Sequence, residues 1–370
     1  MTDTSSDRAS VVVVGGGYGG INAAKALDDV ADVTLVDPTE AFVHNVAGWR
    51  TLVEPEWLDR IFLPYAHLLA HGRFVRDRAV AVDGLRVTLA SGDVLEPDFL
   101  VLATGSAYPF PAKTEEPDIA SARSRLRTAH EALLGADRAL IVGAGPAGLE
   151  LAGEIKSFYP DKHVTLADMA PDILTGPYDQ ELREELRRQL DALGVELRLG
   201  VALSEMPTAP PATLAPIAIA TADGDKLVAD IWFRAFGVRP HSDYLAGGSL
   251  DPSLNEGGYV RVDDQLRVVG QDRVFAIGDL ADADRDMAGI ATKQAGVVAT
   301  NIQALIAGTG ELTSWETFPP LIAIPLGPEG GAGSIGDGVA GPEQISELKG
   351  QHMLLDTYGG LFDAVPAVAP

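Results

Sequence analysis

The stretch VVVVGGGYGG, residues Val11–Gly20, largely decides the fold of this chain. Its valines are β-branched and too few for a helix, so they predict a short buried strand. Gly15, Gly17 and Gly20 then follow the pattern G-x-G-x-x-G. In a strand-to-helix turn the first glycine permits the sharp bend and the second lets the backbone approach an anion. The third lets the helix pack on the strand.

The residues after this turn complete a β–α–β unit. INAAKAL continues with apolar residues at helical spacing, and DVTLVD predicts a second apolar strand that ends in Asp37. Asp37 follows Gly15 by about 20 residues, the distance at which an acidic side chain reaches a ribose hydroxyl. A lone glycine motif often marks only a turn. The strand, turn, helix, second strand and acid together predict a dinucleotide-binding unit.

The same arrangement occurs a second time, in ALIVGAGPAGLE at Ala139–Glu150. Gly143, Gly145 and Gly148 are its glycines, LELAGEIKSF predicts the helix, and HVTLAD predicts a second strand that ends in Asp168. Two full units in one chain predict that two dinucleotides are bound at once. One would be a tightly held redox cofactor and the other an exchangeable one.

The composition indicates a globular protein and excludes several classes of function. The chain is 46% hydrophobic and 22% charged, which is typical of a globular protein. Its length of 370 residues suffices for two or three domains. The net charge of −25 argues against a nucleic-acid partner, because phosphate contacts need basic surface. With no cysteine, thiol–disulfide chemistry is excluded. The 7 histidines are scattered without ligand spacing, so no metal site is expected.

The N-terminal segment MTDTSSDRAS carries no targeting signal that we recognise. It lacks the apolar core of a signal peptide, and no later stretch approaches the roughly 18 apolar residues of a membrane span. We therefore expect a cytoplasmic protein with no transmembrane segment.

Two later segments predict further strands that end in small or acidic residues. FLVLATG ends in Thr104 and Gly105, and RVFAIGD ends in Gly278 and Asp279. A helix over GIATKQAGVVATNIQALIAG follows, with Gln294 placed near its start. Between the two glycine units, the proline-rich segment AYPFPAKTEEPD predicts a crossover that carries Lys113.

In the order of these pieces, the chain resembles the flavoprotein reductases that bind two dinucleotides. AFVHNVAGWRTLVE and AGLELAGEIKSFYPDKHVTL are similar to the apoptosis-inducing-factor-like branch, and the likeness extends to LGPEGGAGSI. The resemblance implies an α/β protein with two Rossmann-like dinucleotide-binding domains and a small C-terminal α+β domain. The FAD-binding domain would be discontinuous, over 1–112 and 252–312. The NAD(P)H-binding domain would span 113–251, and the C-terminal domain 313–370.

The resemblance also implies roles for individual residues. FAD would be bound by the first unit and later segments, through Gly15, Gly17, Gly20, Asp37, His44, Asn45, Val46, Arg50, Thr104, Gly105, Lys113, Gly278 and Asp279. NADH would be bound by Gly143, Gly145, Gly148, Glu150 and Asp168. Glu150 at the nicotinamide and Gln294 at the flavin are the catalytic candidates.

Several of these residues also have simpler interpretations. Arg50 is expected to neutralise the FAD pyrophosphate, although a loop arginine is often only a surface residue. Lys113 could equally be a solvated crossover residue. Asp279 could merely cap a helix, and Gln294 could be an ordinary helical residue.

Members of this branch pass electrons from NADH or NADPH through FAD to a quinone. The resemblance therefore implies an NAD(P)H:quinone oxidoreductase similar to the type II NADH dehydrogenases. Asp168 favours NADH, because its carboxylate can bind a 2′-hydroxyl and would repel a 2′-phosphate. Two alternatives stay open: a reductase of a small redox protein such as ferredoxin, and an NADH-sensing flavoprotein. An acidic ferredoxin would dock poorly on a chain of charge −25.

A homodimer and peripheral membrane contact also stay open. A mammalian relative carries a myristoylation glycine where this chain has Thr2, and its C-terminal end is basic. Here the end GGLFDAVPAVAP is apolar and uncharged except for Asp363. Both departures argue against stable docking on a membrane.

Overall fold

The computed structural model describes residues 8–336 and 338–362, so Thr2 and residues 363–370, on which the membrane argument depends, lie outside the described residues. The helices are Tyr18–Leu27 (α1), Ile119–Leu134 (α2), Pro146–Phe158 (α3), Gln180–Ala192 (α4), Ala288–Ala307 (α5), Pro342–Ile345 (α6) and Leu355–Gly359 (α7).

The strands fall into two parallel sheets and several small antiparallel ones. They are Ser10–Val14 (β1), Asp32–Asp37 (β2), Ala41–Val43 (β3), Phe62–Pro64 (β4), Arg73–Arg76 (β5), Ala79–Asp83 (β6), Arg86–Leu89 (β7), Val94–Leu95 (β8), Phe99–Leu102 (β9), Ser106–Ala107 (β10), Arg138–Val142 (β11), His163–Asp168 (β12), Val195–Leu199 (β13), Ile217–Ala220 (β14), Lys226–Ala229 (β15), Ile231–Arg234 (β16), Arg239–Pro240 (β17), Val274–Ala276 (β18), Ile322–Pro325 (β19), Gly331–Ser334 (β20) and Val339–Ala340 (β21).

The first sheet has the order β18-β9-β1-β2-β5, with every neighbouring pair parallel. Its central strand β1 is buried on both faces. Val11 and Val13 enter a core shared with α1 and α5, while Val12 and Val14 face a second core over β6 and β7. A strand covered on both faces has no polar side, which explains the continuous valine run.

The second sheet repeats this arrangement with the order β13-β12-β11-β16, again fully parallel. Ile141 and Leu149 belong to a core that also holds Leu186 of α4. Leu140 and Trp232 face the opposite core, which the β14–β15 hairpin covers. The two predicted units therefore have the same architecture, and the predicted α/β class is confirmed.

The C-terminal residues form the antiparallel sheet β19-β20-β21, followed by the short helices α6 and α7. Ile322 and Ile324 of this sheet belong to the same core as α3. The approach is close because Gly153 has no side chain: a Cβ there would lie 2.3 Å from Cα of Leu326. The C-terminal sheet thus shares the core of the second unit. The predicted domain boundaries stay predictions.

Helix α2 was missed by the sequence analysis, which left this region unassigned after the crossover. The Asp118 carboxylate accepts a hydrogen bond from N–H of Ser121 (2.8 Å) and caps the helix. Ala122, Leu126 and Leu133 give it a narrow buried stripe. Across the described ranges, no helix is both long and apolar enough to span a membrane.

Candidate cofactor and active site

The three glycines of the first turn have distinct steric environments. Gly15 has φ +102°, and a Cβ there would lie 2.4 Å from the carbonyl oxygen of Ala103. A Cβ at Gly20 would lie 1.8 Å from the carbonyl oxygen of Gly15, so only glycine lets α1 pack this closely. Around the Cβ position of Gly17 no atom of the described residues lies within 4 Å, apart from Gly17 itself and its two chain neighbours. That space is open to a ligand, as close approach of a pyrophosphate requires.

The second turn repeats these environments. Gly143 has φ +112°, and its Cβ would lie 2.6 Å from the carbonyl oxygen of Ala235. A Cβ at Gly148 would lie 1.9 Å from the carbonyl oxygen of Gly143, and the position at Gly145 is open. Both turns also lead into a helix, α1 and α3, whose free N-terminal amides suit an anion.

An aspartate at the end of the second strand braces each turn. Asp37 accepts hydrogen bonds from N–H of Gly16 (2.7 Å) and of Thr39 (2.8 Å). Asp168 accepts the corresponding pair from Ala144 (2.6 Å) and Ala170 (2.8 Å). Burial raises the pKa of the Asp37 carboxyl, and the hydrogen bonds from Thr39 and Gly16 counteract part of that shift.

One cavity of about 810 Å³ lies at the carboxyl ends of the first sheet and extends to α3. Its volume is within the range of small-molecule sites. It is lined by many of the predicted residues: Gly15, Gly17, Asp37, Asn45, Val46, Thr104, Gly105, Lys113, Glu150, Gly278 and Asp279. The lining does not include Gly20, His44, Arg50, Gln294, Gly143, Gly145, Gly148 or Asp168.

Asp279 and Lys113 lie together in the wall of this cavity. Ser106 Oγ donates a hydrogen bond to Asp279 Oδ2 (2.6 Å), and Lys113 Nζ lies 3.3 Å from the same oxygen. Lys113 Nζ also donates to the backbone oxygen of Ser106 at 2.9 Å. The lysine is thus an oriented cavity residue and not a freely solvated one. Its cation and the Asp279 carboxylate offer a donor and an acceptor to a bound cofactor.

Glu150 is paired at the cavity with a residue that the sequence analysis missed. Lys349 Nζ lies 2.7 Å from Glu150 Oε1, and the side chains are 14% and 13% exposed. Lys349 belongs to the π-helical turn Ser346–Gly350. Tyr108 lines the same region, and burial together with the charge of Glu150 raises its pKa to about 12. This end of the cavity therefore combines residues from the second unit and the C-terminal segment.

Asp286 and Tyr259 form a further polar pair that the sequence did not reveal. Asp286 lines the cavity close to Asp279, and Tyr259 donates a hydrogen bond to Asp286 Oδ2 (3.1 Å). Partial burial and the charge of Asp279 raise the pKa of the Asp286 carboxyl to about 6. The carboxyl can therefore gain or lose a proton near neutral pH.

Gln294 does not reach the cavity. Helix α5 begins at Ala288, so Gln294 lies in its second turn and not at its start, and it is 1% exposed. Its Oε1 accepts a hydrogen bond from N–H of Gly278 (2.7 Å). In this position Gln294 supports the turn that carries Asp279, and no direct contact with the flavin ring follows from its placement.

His44 is also buried away from the cavity lining. Its Nε2 lies 2.7 Å from the backbone oxygen of Met353, and its Nδ1 lies 3.1 Å from the hydroxyl of Tyr18. Burial lowers the pKa of His44 to about 4, so the ring is neutral at physiological pH. Tyr18 and Val46 face the cavity, and N–H of Val46 donates to the Tyr18 hydroxyl (2.9 Å). His44 thus orients a cavity residue from behind.

Arg50 lies in the same buried layer as His44. Its guanidinium binds Glu154 and the backbone oxygen of Gly350, and it is 2% exposed. The geometry therefore gives no support to its predicted contact with a pyrophosphate.

The residues present fit FAD in the large cavity. The open space at Gly17, the N-terminus of α1 and Asp37 lie together at one end of it. The charged residues Lys113 and Asp279 lie further along the wall. The second turn has the same steric features beside Glu150, outside the cavity lining.

The chain belongs to the pyridine nucleotide-disulphide oxidoreductase family, whose sequence pattern matches residues 9–297. Apoptosis-inducing factor homolog B of Dictyostelium discoideum is 28% identical over 376 residues, which span 96% of this chain and 97% of that protein. Ferroptosis suppressor protein 1 of Taeniopygia guttata is 34% identical over 298 residues, or 79% of each chain. The chain is thus an NAD(P)H-dependent flavoprotein oxidoreductase, and the predicted resemblance is confirmed.

Solved structures show the same fold. The sulfide:quinone oxidoreductase of Aquifex aeolicus superposes with a TM-score of 0.75, covering 95% of this chain and 91% of that one at 16% identity. A ferredoxin reductase of Rhodopseudomonas palustris superposes with a TM-score of 0.62, covering 84% and 79% at 20% identity. At these identities the likeness concerns the fold alone.

Proposed function

We propose that the chain oxidises NADH and reduces a quinone, using FAD held in the large cavity. One observation carries this proposal: the cavity runs from the first glycine turn to Glu150, in the helix that starts at the second turn. A cofactor bound along it would meet a dinucleotide bound at the second turn near Glu150 and Lys349. Direct transfer between two cofactors requires such close approach.

We assign the FAD contacts to the residues that line the cavity. Backbone amides around Gly17 would hold the pyrophosphate, with Asp37 at the adenosine ribose. Lys113 and Asp279 would bind polar atoms further along the cofactor, and the N-terminus of α5 would favour negative charge there. When bound, FAD supplies the chemistry, accepting hydride from NADH and returning electrons to the acceptor.

We assign the NADH contacts to the second turn. Its pyrophosphate would lie against Gly143, Gly145 and Gly148. The Asp168 carboxylate would accept hydrogen bonds from the ribose hydroxyls. The segment MAPDIL that follows Asp168 has no arginine to bind a 2′-phosphate. This arrangement favours NADH over NADPH.

A quinone suits the other end of the cavity. Trp49 and Ala112 line the same cavity as the Glu150–Lys349 pair and offer apolar surface for a planar ring. The overall reaction, NADH + H⁺ + quinone → NAD⁺ + quinol, consumes one proton that polar cavity residues can transfer. The Aquifex neighbour is named for sulfide as well as quinone, but this sequence has no cysteine for thiol chemistry.

The test is an anaerobic titration of the purified protein, followed by its visible spectrum. NADH should bleach the flavin absorbance, NADPH should do so much less effectively, and a short-chain quinone should restore it. A flavin that stays oxidised with NADH contradicts the proposal. Restoration by ferredoxin but not by quinone favours the redox-protein alternative. Slow reoxidation by every acceptor, with an NADH-dependent change in oligomeric state, favours the sensor.

The homodimer and the cytoplasmic location remain predictions. Light scattering of the purified protein with and without NADH tests the first. Fractionation of cells that express the chain tests the second.

A further inference from the structure

An arginine and a glutamate form a fully buried ion pair behind the cavity. Arg50 Nε lies 2.6 Å from Glu154 Oε2, and Arg50 Nη2 lies 2.8 Å from Glu154 Oε1. The side chains are 2% and 0% exposed. Parallel hydrogen bonds of this kind fix both position and orientation, because the planar guanidinium matches the two carboxylate oxygens.

The same guanidinium binds a third segment of the chain. Arg50 Nη2 also donates a hydrogen bond to the backbone oxygen of Gly350 (2.8 Å). Arg50 lies in the short 3-10 helix Arg50–Leu52, Glu154 lies in α3, and Gly350 ends the π-helical turn of the C-terminal segment. The rings of Trp57 and Phe158 each lie 5.5 Å from the guanidinium carbon and surround it with aromatic surface.

Both ends of the Glu150–Lys349 pair are attached to this contact. Lys349 is the residue immediately before Gly350, and Glu150 lies one helical turn before Glu154 on α3. We propose that Arg50 is a positioning residue: by binding Glu154 and Gly350 together, it sets the distance between Glu150 and Lys349 at the cavity. This inference rests on the proposed function, in which that pair borders the nicotinamide and the acceptor.

A purely stabilising role is the main alternative. Removing two charges from water is costly, so buried ion pairs are weak stabilisers compared with apolar residues of similar size. Burial raises the pKa of Glu154, and Arg50 opposes that shift. The better attested benefit of such a pair is a single fixed arrangement of the segments it joins. The attachment of both cavity residues to the contact favours this role.

The first test needs no cofactor. Trypsin cleaves after lysine, so it can cut the Lys349–Gly350 peptide bond. Arg50 binds the carbonyl oxygen of Gly350, the residue directly after that bond, so the cleavage rate reports on this contact. We expect Arg50→Lys, which loses the two-pronged geometry, to accelerate cleavage at Lys349 about tenfold by loosening the turn. Arg60→Lys is the matched control: within the described part of the chain Arg60 stacks on Trp57 (4.3 Å) but forms no hydrogen bond or ion pair with Glu154. Equal cleavage rates in both variants overturn the proposal.

The second test asks whether Arg50 acts through Lys349. In a double-mutant cycle, the rate of flavin reduction by NADH is measured for Arg50→Lys, Lys349→Met and the double variant. If Arg50 is a positioning residue, Arg50→Lys should slow flavin reduction about tenfold when Lys349 is present. The same substitution should change the rate little in the Lys349→Met background. Additive losses overturn the proposal and indicate a structural role. The two tests together distinguish failure of the proposed function from failure of the positioning role. If NADH does not reduce the flavin of the parent protein, the proposed function is contradicted, while trypsin cleavage still tests whether Arg50 holds Gly350.

The apolar pair Arg50→Met with Glu154→Leu covers the case in which a single variant does not fold. It removes both charges and keeps the volume, so the fold is expected to persist. We expect its unfolding midpoint to stay close to that of the parent, while cleavage at Lys349 is faster. An apolar pair with parent-like cleavage and parent-like reduction by NADH contradicts the positioning role.

Discussion

Gln294 holds the backbone of Gly278: its side-chain oxygen accepts the N–H of that glycine at 2.7 Å inside the core. Gly278 has φ +67° and begins the turn that presents Asp279 to the cavity. The catalytic residue expected from the sequence thus lies one layer behind the cofactor site. Because Gln294 does not line the cavity, a substitution there should affect stability and FAD binding and not the chemical step itself.

Gln294→Leu should weaken both the fold and the retention of FAD. It leaves the partly buried Gly278 N–H without this partner, at a cost of up to about 1–3 kcal/mol. Thermal unfolding and the flavin-to-protein ratio measure the two effects. Gln303→Leu is the control, since Gln303 lies on the same helix and is exposed. Loss of NADH oxidation with normal stability and flavin content would instead support the direct catalytic role.

Alanine at the two open glycines should separate the two nucleotide sites. Gly17→Ala and Gly145→Ala should fold, because among the described residues no atom beyond the glycine itself and its two chain neighbours lies within 4 Å of either added Cβ. We expect Gly17→Ala to lose flavin, and Gly145→Ala to keep flavin but bind NADH at least tenfold more weakly, about 1.4 kcal/mol. Flavin absorbance and NADH titration distinguish them. If both variants lose the same ligand, the assignment of the two turns is wrong.

Gly20→Ala should not give a folded protein at all. The added Cβ would lie 1.8 Å from the Gly15 carbonyl oxygen, and the contact is with backbone, so it cannot be relieved by a side-chain rotation. Circular dichroism and soluble yield are the measurements. A soluble, flavin-loaded Gly20→Ala protein would show that α1 can shift away from the strand.

Asp168→Asn should change the choice of nucleotide. It removes a negative charge that would repel a 2′-phosphate by about 1–4 kcal/mol at contact distance. The amide oxygen can still accept one of the two backbone hydrogen bonds that brace the turn. We expect kcat/KM for NADPH relative to NADH to rise about tenfold or more. An unchanged ratio would mean that Asp168 points away from the nucleotide.

Asp286→Asn should stabilise the protein more at pH 7 than at pH 4. The pKa of this carboxyl rises from 3.8 to about 6 on folding, so the folded state binds its proton more tightly. The contribution to stability is therefore present below pH 4 and lost as the pH rises through 6. Unfolding midpoints of variant and parent across this range check the sign. Glu311→Gln, at an exposed position, is the control.

The features that could be predicted from the sequence are those that depend on residues close together along the chain. The glycine turns, their helices and the closing aspartates each form within one β–α–β unit, so spacing alone located them. The partners of Glu150 and Arg50 could not be found in this way. Lys349 is 199 positions from Glu150, and Glu154 is 104 positions from Arg50. Lys349 reaches Glu150 because the C-terminal segment packs against α3, and Arg50 reaches Glu154 because the 3-10 helix Arg50–Leu52 packs against the same helix.

Helix α2 could not be predicted from the sequence for a different reason, its weak hydrophobic periodicity. Its exposed residues include Arg125 and Arg127, and its buried stripe is formed by alanine and leucine, so the apolar period is faint. The N-cap Asp118 was the available signal, and it lay at the end of a segment assigned to the crossover.

Asp37 and Asp168 accept equivalent pairs of backbone hydrogen bonds, and this similarity has a consequence for how long each dinucleotide would stay bound. In the proposed assignment each turn offers a dinucleotide an open glycine and an aspartate that accepts two backbone hydrogen bonds, so these local contacts alone would hold the two ligands for similar periods. The first turn opens into the cavity of about 810 Å³, and the second turn lies outside the lining of that cavity. A ligand surrounded by protein must displace far more contact to escape. Under the proposed assignment, this difference would let FAD stay bound at the first turn while NADH exchanges at the second.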